Sequence, residues 1–225
     1  MTPSFCSHRL SIVTGHYGTG KTEFAVNLAL AMAGSGEQVM MADLDIVNPY
    51  FRSRERRSLL EEAGVQLISS SQACSDADVP ALPAELLTIL ENRDVRGILD
   101  IGGDPVGARV LARFQPKIIQ EDHQLIYVLN ANRPEVRETE GAIAYLRGIE
   151  ATTGLKCTGI VNNTHLCGET TEATIRKGAL LAEAVSRETG ISILCHVAEE
   201  RLAENLSDLL EPVFPITIKM KKPWE

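Results

Sequence analysis

The sequence lacks the segments that membrane and secreted proteins usually carry. No uninterrupted apolar run approaches the roughly 20 residues that span a bilayer, and the first ten residues are too polar for a secretory signal peptide. A CxxC pair is also missing, since the five cysteines are scattered along the chain as Cys6, Cys74, Cys157, Cys167 and Cys195. Scattered cysteines in odd number are typical of reduced thiols in a cytosolic enzyme. We therefore expect a cytoplasmic protein without a membrane span.

Basic residues are in deficit, with 22 Lys and Arg against 30 Asp and Glu and a formal net charge of −8 at pH 7. Because binding to a phosphate backbone needs clustered Lys and Arg, this balance disfavours nucleic acid as a partner. The 44% of hydrophobic and 23% of charged residues are close to globular averages. With about 150 residues per domain as a guide, the 225 residues predict a single domain, 1–225.

Short apolar runs rich in β-branched residues alternate with segments of helical spacing. This alternation predicts an α/β fold with a mostly parallel central sheet flanked by helices. Gly34, Gly64, Gly154 and Gly190 stand where helix C-caps belong, and 69–82 is expected to be a loop beside the sheet. The predicted strands are 10–14, 38–42, 65–68, 95–101, 124–129, 156–161, 191–194 and 216–220. The predicted helices are 21–33, 53–63, 83–92, 107–120, 134–152, 172–189 and 199–210.

The strongest chemical signal lies between the first predicted strand and the first predicted helix. Gly15, Gly20, Lys21 and Thr22 match the phosphate-loop pattern GxxxxGK[ST] in the strand–loop–helix context that this motif needs. Glycines let backbone N–H groups turn toward phosphate oxygens, and the helix N-terminus adds partial positive charge. We expect Lys21 to bind the β and γ phosphates and the Thr22 hydroxyl to bind Mg²⁺. The predicted nucleotide-binding residues of this loop are Gly15, His16, Tyr17, Gly18, Thr19, Gly20, Lys21 and Thr22.

Carboxylates follow two of the predicted strands. Asp43 and Asp45 end the second strand, and Asp100 ends the fourth, with Gly102 and Gly103 after it. Since ligands bind at the carboxyl ends of parallel strands, Asp43 or Asp45 is expected to orient an attacking water, and one of them, Asp45 in our assignment, to hold Mg²⁺ through water. Asp100 is expected to be an outer-sphere Mg²⁺ partner, and Gly102 or Gly103 to offer a backbone N–H to the γ phosphate. The alternatives are a helix cap or a turn for the first pair and a plain turn for the second group.

Three segments in order, GHYGTGKTEFAVNLA, ADLDIVNPYFR and ILDIGGDP, resemble the CobQ/CobB/MinD/ParA nucleotide-binding superfamily of P-loop NTPases over about 10–200. A fourth, GIVNNTH, resembles the late strand whose terminal Asn reads adenine in ATPases of that group. Asn162 is at the matching position, with Asn163 next to it. The resemblance implies the three-layer P-loop NTPase fold and places Asp100 and Gly103 in the second of two switch segments.

One position departs from the MinD/ParA branch of that superfamily, whose GKGGxGK[ST] motif carries a first Lys that reaches the phosphates of a dimer partner. In this sequence His16 takes that position and Tyr17 replaces the second Gly. His is shorter than Lys and is charged only about a quarter of the time at pH 7. Catalysis across a dimer by that route is therefore not expected, whereas the family's behaviour still implies a homodimer on ATP binding.

Two groups of side chains have competing interpretations. Arginines that follow the Asp pair form either a docking face for a client protein or a solvated helix face with i,i+4 ion pairs. A metal site at His165 and Cys167, with Cys195 and His196, is disfavoured because no ligand spacing supports it. The arginines are Arg52, Arg54, Arg56 and Arg57.

Together these features predict a Mg²⁺-dependent ATP-binding protein, a slow ATPase that acts as a nucleotide-driven switch for a partner protein. Neither NKxD nor TKxD, the usual guanine-binding elements, occurs, so ATP is predicted as the nucleotide. The alternative is an enzyme that uses ATP to activate a small carboxylate, like dethiobiotin synthetase or the cobyrinate amide ligases. In that case Arg52, Arg54 and Arg133 would bind the carboxylate. A third interpretation is a nucleotide-binding regulator that does not hydrolyse.

Overall fold

The computed structural model describes residues 3–44, 56–69, 82–103 and 105–220. Strands and helices alternate through these residues, as the apolar pattern predicts. The strands are β1 Leu10–Thr14, β2 Val39–Asp43, β3 Val65–Ser69, β4 Arg96–Asp100, β5 His123–Leu129, β6 Gly159–Asn162, β7 Ile193–Glu199 and β8 Val213–Ile216. The helices are α1 Lys21–Gly34, α2 Arg57–Glu62, α3 Leu82–Glu91, α4 Pro105–Ile118, α5 Thr139–Thr153, α6 Glu172–Thr189 and α7 Glu200–Ala203, with a 3₁₀ turn at Glu204–Leu206.

The described strands form one eight-stranded sheet in the order β3-β2-β4-β1-β5-β6-β7-β8, and each described pair is parallel. The first strand therefore lies in the middle, with Leu10 in register with Gly97 of β4 and with His123 of β5. Because all strands run the same way, the segments that follow β1, β2, β4, β5 and β6 meet at one edge of the sheet. The sequence prediction of an α/β fold with flanking helices is confirmed.

Helices cover both faces of the sheet, and alternate residues of each strand point to opposite sides. Ile12, Leu99 and Tyr127 pack in a core with side chains of α3, α4, α5 and α6, whereas Val13 and Ile98 pack in a second core with α1 and α2. Strands covered in this way are apolar on both faces, which is why they read as continuous apolar runs in the sequence. The molecule is thus a three-layer helix–sheet–helix structure.

Several element boundaries differ from the sequence predictions. The prediction of 134–152 as a helix is wrong at its start, since α5 begins at Thr139 after a run of turns. The last strand is at Val213–Ile216 rather than 216–220, and the helix predicted at 199–210 is reduced to one turn of α-helix and one 3₁₀ turn. Gly34 is the last residue of α1, not its cap. The predicted loop 69–82 lies almost wholly outside the described residues.

The last described segment returns to the first turns of α1. The Glu23 carboxylate accepts backbone N–H groups from Lys219 and Met220 at 2.7 and 3.0 Å, and Asn27 Oδ1 accepts the N–H of Thr217 at 3.2 Å. Burial raises the pKa of Glu23, although the N–H groups of Lys219 and Met220 and the side-chain amide of Asn27 partly offset the effect. As for membranes, none of the helices in the described ranges combines the length and apolar character needed to cross one.

Candidate functional site

The predicted phosphate loop connects β1 to α1 at the edge of the sheet where the carboxyl ends of the strands meet. Gly15 has a φ of 155°, and a Cβ at this position would overlap the carbonyl oxygen of Val128. Gly20 caps α1 in the left-handed region with φ 82°, where a Cβ would overlap the side-chain amide of Asn163. Only glycine fits these two positions, and the backbone can therefore curl closely around a small group.

Within the loop, one backbone carbonyl collects several donors. The oxygen of His16 accepts the backbone N–H of Thr19 at 3.2 Å, the Thr19 hydroxyl at 2.9 Å and the Lys21 ammonium at 3.3 Å. Lys21 and Thr22 are only 6% and 8% exposed, so both side chains lie inside the loop rather than on the surface. Tyr17, by contrast, is 55% exposed, and the His16 ring faces Glu135 at 3.9 Å.

Three side chains from later elements bind the outside of the loop. Asn163, directly after β6, donates from Nδ2 to the carbonyls of Thr19 and Gly20 at 2.8 and 3.2 Å. Arg133 donates from Nε to the carbonyl of Gly18 at 2.6 Å. The hydroxyl of Tyr145, on α5, lies 3.2 Å from the carbonyl of Gly15. Asn163 and Arg133 thus bind carbonyl oxygens of the loop, and the Tyr145 hydroxyl lies within hydrogen-bond distance of another.

Two of the carboxylates that the sequence predicts for the site, Asp43 and Asp100, belong to the described residues, and both lie beside the loop. Asp43 and Asp100 are in register at the ends of β2 and β4, and Asp100 is also in register with Val13 of β1. Both are buried, at 7% and 1% exposure, and the Asp100 carbonyl accepts the N–H of Leu44 at 2.9 Å. Asp45, with Arg52 and Arg54, lies outside the described residues.

Gly103 lies directly against the mouth of the loop. A Cβ at this position would stand 2.6 Å from the carbonyl of Gly15, 2.8 Å from the backbone N of Tyr17 and 2.9 Å from Lys21 Nζ. The hydroxyl of Tyr145 lies 2.9 Å from the carbonyl oxygen of Gly103. The segment after β4 therefore meets the loop at the position of the lysine ammonium.

The two asparagines at the end of β6 occupy different environments. Asn162 is fully buried behind the loop, where Nδ2 donates to the carbonyl of Ile175 at 3.0 Å and Oδ1 accepts the N–H of Thr164 at 3.1 Å. Its Nδ2 also lies 3.1 Å from Nδ1 of His196, another fully buried residue. The structure thus places Asn163, rather than Asn162, in contact with the loop.

The turn after Asn163 holds a neutral imidazole beside the loop. His165 Nδ1 accepts the backbone N–H of Cys167 at 3.3 Å, which leaves the proton on Nε2. Burial, reinforced by the positive charge of Arg133, lowers the pKa of His165 to about 4, so the ring is uncharged at pH 7. Across the described ranges no group of three or more His, Cys, Asp or Glu side chains is arranged to hold a metal ion.

The predicted arginine face is only partly described. Arg57 pairs with Glu61 one helical turn later at 3.0 Å, and both side chains are about half exposed. This contact agrees with the interpretation of a solvated helix face, in which such pairs contribute little to stability. A docking role for the group remains a prediction.

The described cysteines differ sharply in their environments. Burial raises the pKa of Cys6 to about 11 and that of Cys157 to about 12, and it raises the pKa of Cys195 well above its ordinary value. Cys167 is exposed. In the native protein at pH 8 we expect a thiol reagent to modify Cys167 at least about a hundredfold faster than these three, because the thiolate is the reactive form.

Peptide mapping after brief labelling would measure this order. Cys74 lies outside the described residues, and a Cys74→Ser background removes its signal. Rapid modification of Cys195 in the folded protein would contradict the burial that the structure shows. Labelling in denaturant provides the control, since all the thiols then react.

The site combines groups that suit an anion with groups that suit a divalent cation. The N-terminus of α1, Lys21 and Arg133 supply positive potential around the loop. The Thr22 hydroxyl and the carboxylates of Asp43 and Asp100 are hard oxygen ligands, of the kind that Mg²⁺ takes together with phosphate oxygens. The residues present therefore fit a magnesium-bound polyphosphate at the same edge of the sheet.

Comparison with solved structures identifies the architecture. Cell division protein FtsY from Thermotoga maritima has a TM-score of 0.60 and 23% identity to this chain, over 85% of this chain and 62% of its own length. The chain has a P-loop NTPase fold. The signal recognition particle receptor FtsY from Elizabethkingia anophelis, solved in complex with GDP, gives a TM-score of 0.55 at 17% identity over 85% of this chain. The Signal Recognition Particle 54 kDa protein from Aeropyrum pernix, also solved in complex with GDP, has a TM-score of 0.52 and 22% identity over 82% of this chain.

These similarities concern the fold alone. The chain spans 62%, 57% and 40% of the length of the three solved proteins. No family model matches the sequence, and no curated protein matches it either. The P-loop NTPase fold predicted from the motifs is therefore confirmed, whereas membership of the CobQ/CobB/MinD/ParA superfamily remains a prediction.

Proposed function

We propose that this protein is a Mg²⁺-dependent ATP-binding switch that hydrolyses ATP slowly and reports the state of the nucleotide to a partner. The observation that carries the proposal is the meeting of Gly103 with Lys21 Nζ and the backbone N of Tyr17 at the mouth of the loop. A γ phosphate bound there would contact the phosphate loop and the segment after β4 at once. Its loss on hydrolysis would release that segment, which is how nucleotide switches change shape.

The residues of the site have distinct roles in this proposal. The Lys21 ammonium would neutralise the β and γ phosphates, and the Thr22 hydroxyl would hold Mg²⁺ with Asp100 behind a water molecule. Mg²⁺ supplies charge neutralisation on the phosphate oxygens. Either Asp43 or Asp45 would orient the attacking water. Asp45 is also our candidate for holding Mg²⁺ through water. In-line attack then requires little covalent chemistry from the protein.

The identity of the nucleobase is inferred from the residues at the end of β6. Asn163 contacts the loop carbonyls with Nδ2, so its Oδ1 is the acceptor that it can present to a base. A guanine site of the NKxD type would need a carboxylate three residues later, where this chain has the half-exposed Leu166. We therefore favour adenine, while the GDP complexes of two fold neighbours make GTP the necessary comparison.

A second candidate function is ATP-dependent activation of a small carboxylate. It is supported by Arg133, whose guanidinium lies against Gly18 at the tip of the loop, and by His16 at the position of the missing signature Lys. A planar guanidinium is well suited to bind a carboxylate in two places. In this reaction phosphate release would depend on an added carboxylic acid.

Calorimetric titration with MgATP, MgGTP and MgADP, combined with phosphate-release kinetics, tests the proposal. We expect tighter binding of MgATP than of MgGTP and turnover well below the roughly 10 s⁻¹ typical of enzymes. Size-exclusion chromatography in ADP and in a non-hydrolysable ATP analogue tests the proposed homodimer. Preference for GTP would overturn the assignment of ATP, and failure to bind any of the three nucleotides would overturn the proposed function.

A further inference from the structure

Tyr145 is the one described side chain whose hydroxyl lies within hydrogen-bond distance of both the phosphate loop and the segment after β4. It stands 3.2 Å from the carbonyl oxygen of Gly15 and 2.9 Å from that of Gly103. A tyrosine hydroxyl has a single proton to donate, so these two carbonyls compete for it. The shorter distance favours donation to Gly103. Tyr145 therefore connects two segments that lie far apart in sequence.

The ring is held so that the hydroxyl stays at this junction. It stacks on Tyr127 of β5, with centroids 5.9 Å apart and planes inclined by 19°, and meets the His16 ring edge-on at 5.2 Å. Tyr127 is fully buried and donates its own hydroxyl to the Ala142 carbonyl on α5. Aromatic contacts of these two kinds are favourable and restrict ring movement. The hydroxyl is thus placed in advance rather than on a freely rotating side chain.

The bond to the Gly103 carbonyl also anchors Gly103. A residue's carbonyl and its N–H belong to successive peptide planes, so this bond does not set the direction of the N–H, but it keeps the Gly103 backbone next to the loop. Gly103 is close enough to Lys21 Nζ that its N–H can address the same phosphate as the ammonium. An interaction of this kind exists only with a triphosphate, because a diphosphate has no group at that position.

We propose that Tyr145 is a positioning residue that holds Gly103 at the mouth of the phosphate loop and thereby raises the preference of the site for a nucleoside triphosphate over a diphosphate. This inference rests on the proposed function and adds a residue to it. It predicts an effect on the ratio of the two affinities, which a residue that only supported the fold would leave unchanged.

Tyr145→Phe is the sharpest test, because it removes the hydroxyl and keeps the ring contacts. We expect the affinity for a non-hydrolysable MgATP analogue to fall about three- to tenfold, the range for losing one hydrogen bond, while the affinity for MgADP stays within error. Calorimetric titration of both nucleotides against the same preparation gives the ratio directly. Since both values come from one protein sample, a small change in stability of the variant cancels.

Tyr127→Phe is the matched control. It removes a hydroxyl from the other ring of the same stack, but that hydroxyl donates to a helix carbonyl rather than to Gly103. We expect the triphosphate-to-diphosphate ratio of this variant to equal that of the wild type. An equal change in both variants would overturn the inference.

The remaining outcomes separate the inference from the proposed function. If the wild type prefers the triphosphate and Tyr145→Phe leaves the ratio unchanged, the inference fails and the proposed function stands. If Tyr145→Phe weakens both nucleotides equally, Tyr145 supports the loop without positioning Gly103, which also overturns the inference. If the wild type binds neither nucleotide, both fail together.

Discussion

Lys21→Ala is expected to abolish measurable nucleotide binding, with a loss of at least about a hundredfold in affinity. The ammonium is buried inside the loop, where it donates to the His16 carbonyl and faces Gly103. Charge-assisted hydrogen bonds contribute about 1.5–3 kcal/mol each, and an ammonium between two phosphates makes more than one of them. Calorimetric titration with MgATP measures the loss.

Lys156→Ala is the matched control for that variant. Lys156 is 83% exposed and pairs only weakly with Glu150, so the same change of charge falls on the surface, between α5 and β6. We expect its affinity for MgATP to equal that of the wild type. Both variants should show the wild-type circular dichroism spectrum. Wild-type affinity in Lys21→Ala would exclude the loop as the nucleotide site.

Gly178→Ala is expected to lower the free energy of unfolding by about 3 kcal/mol, the upper part of the range for overpacking a core. Gly178 lies on the buried face of α6, and a Cβ there would overlap Asn162 Oδ1 and the side chain of Thr164. Relief requires α6 to move away from β6 or the Asn162 side chain to give up its hydrogen bonds. Urea unfolding monitored by circular dichroism measures the difference.

Gly148→Ala, in contrast, is expected to raise the free energy of unfolding. This glycine lies on the exposed side of α5, and a Cβ there would meet no atom within 4 Å beyond its chain neighbours and the backbone of its own helix. Alanine is the better helix former by about 0.8–1 kcal/mol, so Gly148→Ala should raise stability by roughly that amount. Equal effects of the two substitutions would show that packing against β6 does not govern the cost at Gly178.

The elements that the sequence predicted well are those with strong local signals. The bounds predicted for α6, 172–189, agree with the structure at both ends because Thr171 forms a capping box with Thr174 and Gly190 ends the helix in the left-handed region. The predicted start of α5 at 134 is wrong because Pro134, a residue type favoured in a first helical turn, is also compatible with the turns that are found there. Residues before Thr139 form turns instead, with the Arg133 N–H bonded to the Asn130 carbonyl.

The same distinction holds within the candidate site. The loop itself follows from a contiguous motif, and its flanking strand and helix follow from apolar periodicity. The contacts of Tyr145 and Asn163 with the loop carbonyls could not be predicted, because they join residues that only the sheet order brings together. Asn162 and Asn163 show most clearly what a sequence cannot predict. They are identical neighbours, yet Asn162 points into a buried network and Asn163 points toward the loop.

The position of β1 in the middle of the sheet has a consequence for fragments of this protein. A fragment that ended before β6 would contain the complete GxxxxGK[ST] motif, both flanking elements and the two strands that pair with β1. It would still lack Asn163, the donor to the carbonyls of Thr19 and Gly20, together with the segment that binds Glu23. The motif is therefore short in sequence, whereas the unit that shapes it extends through most of the polypeptide.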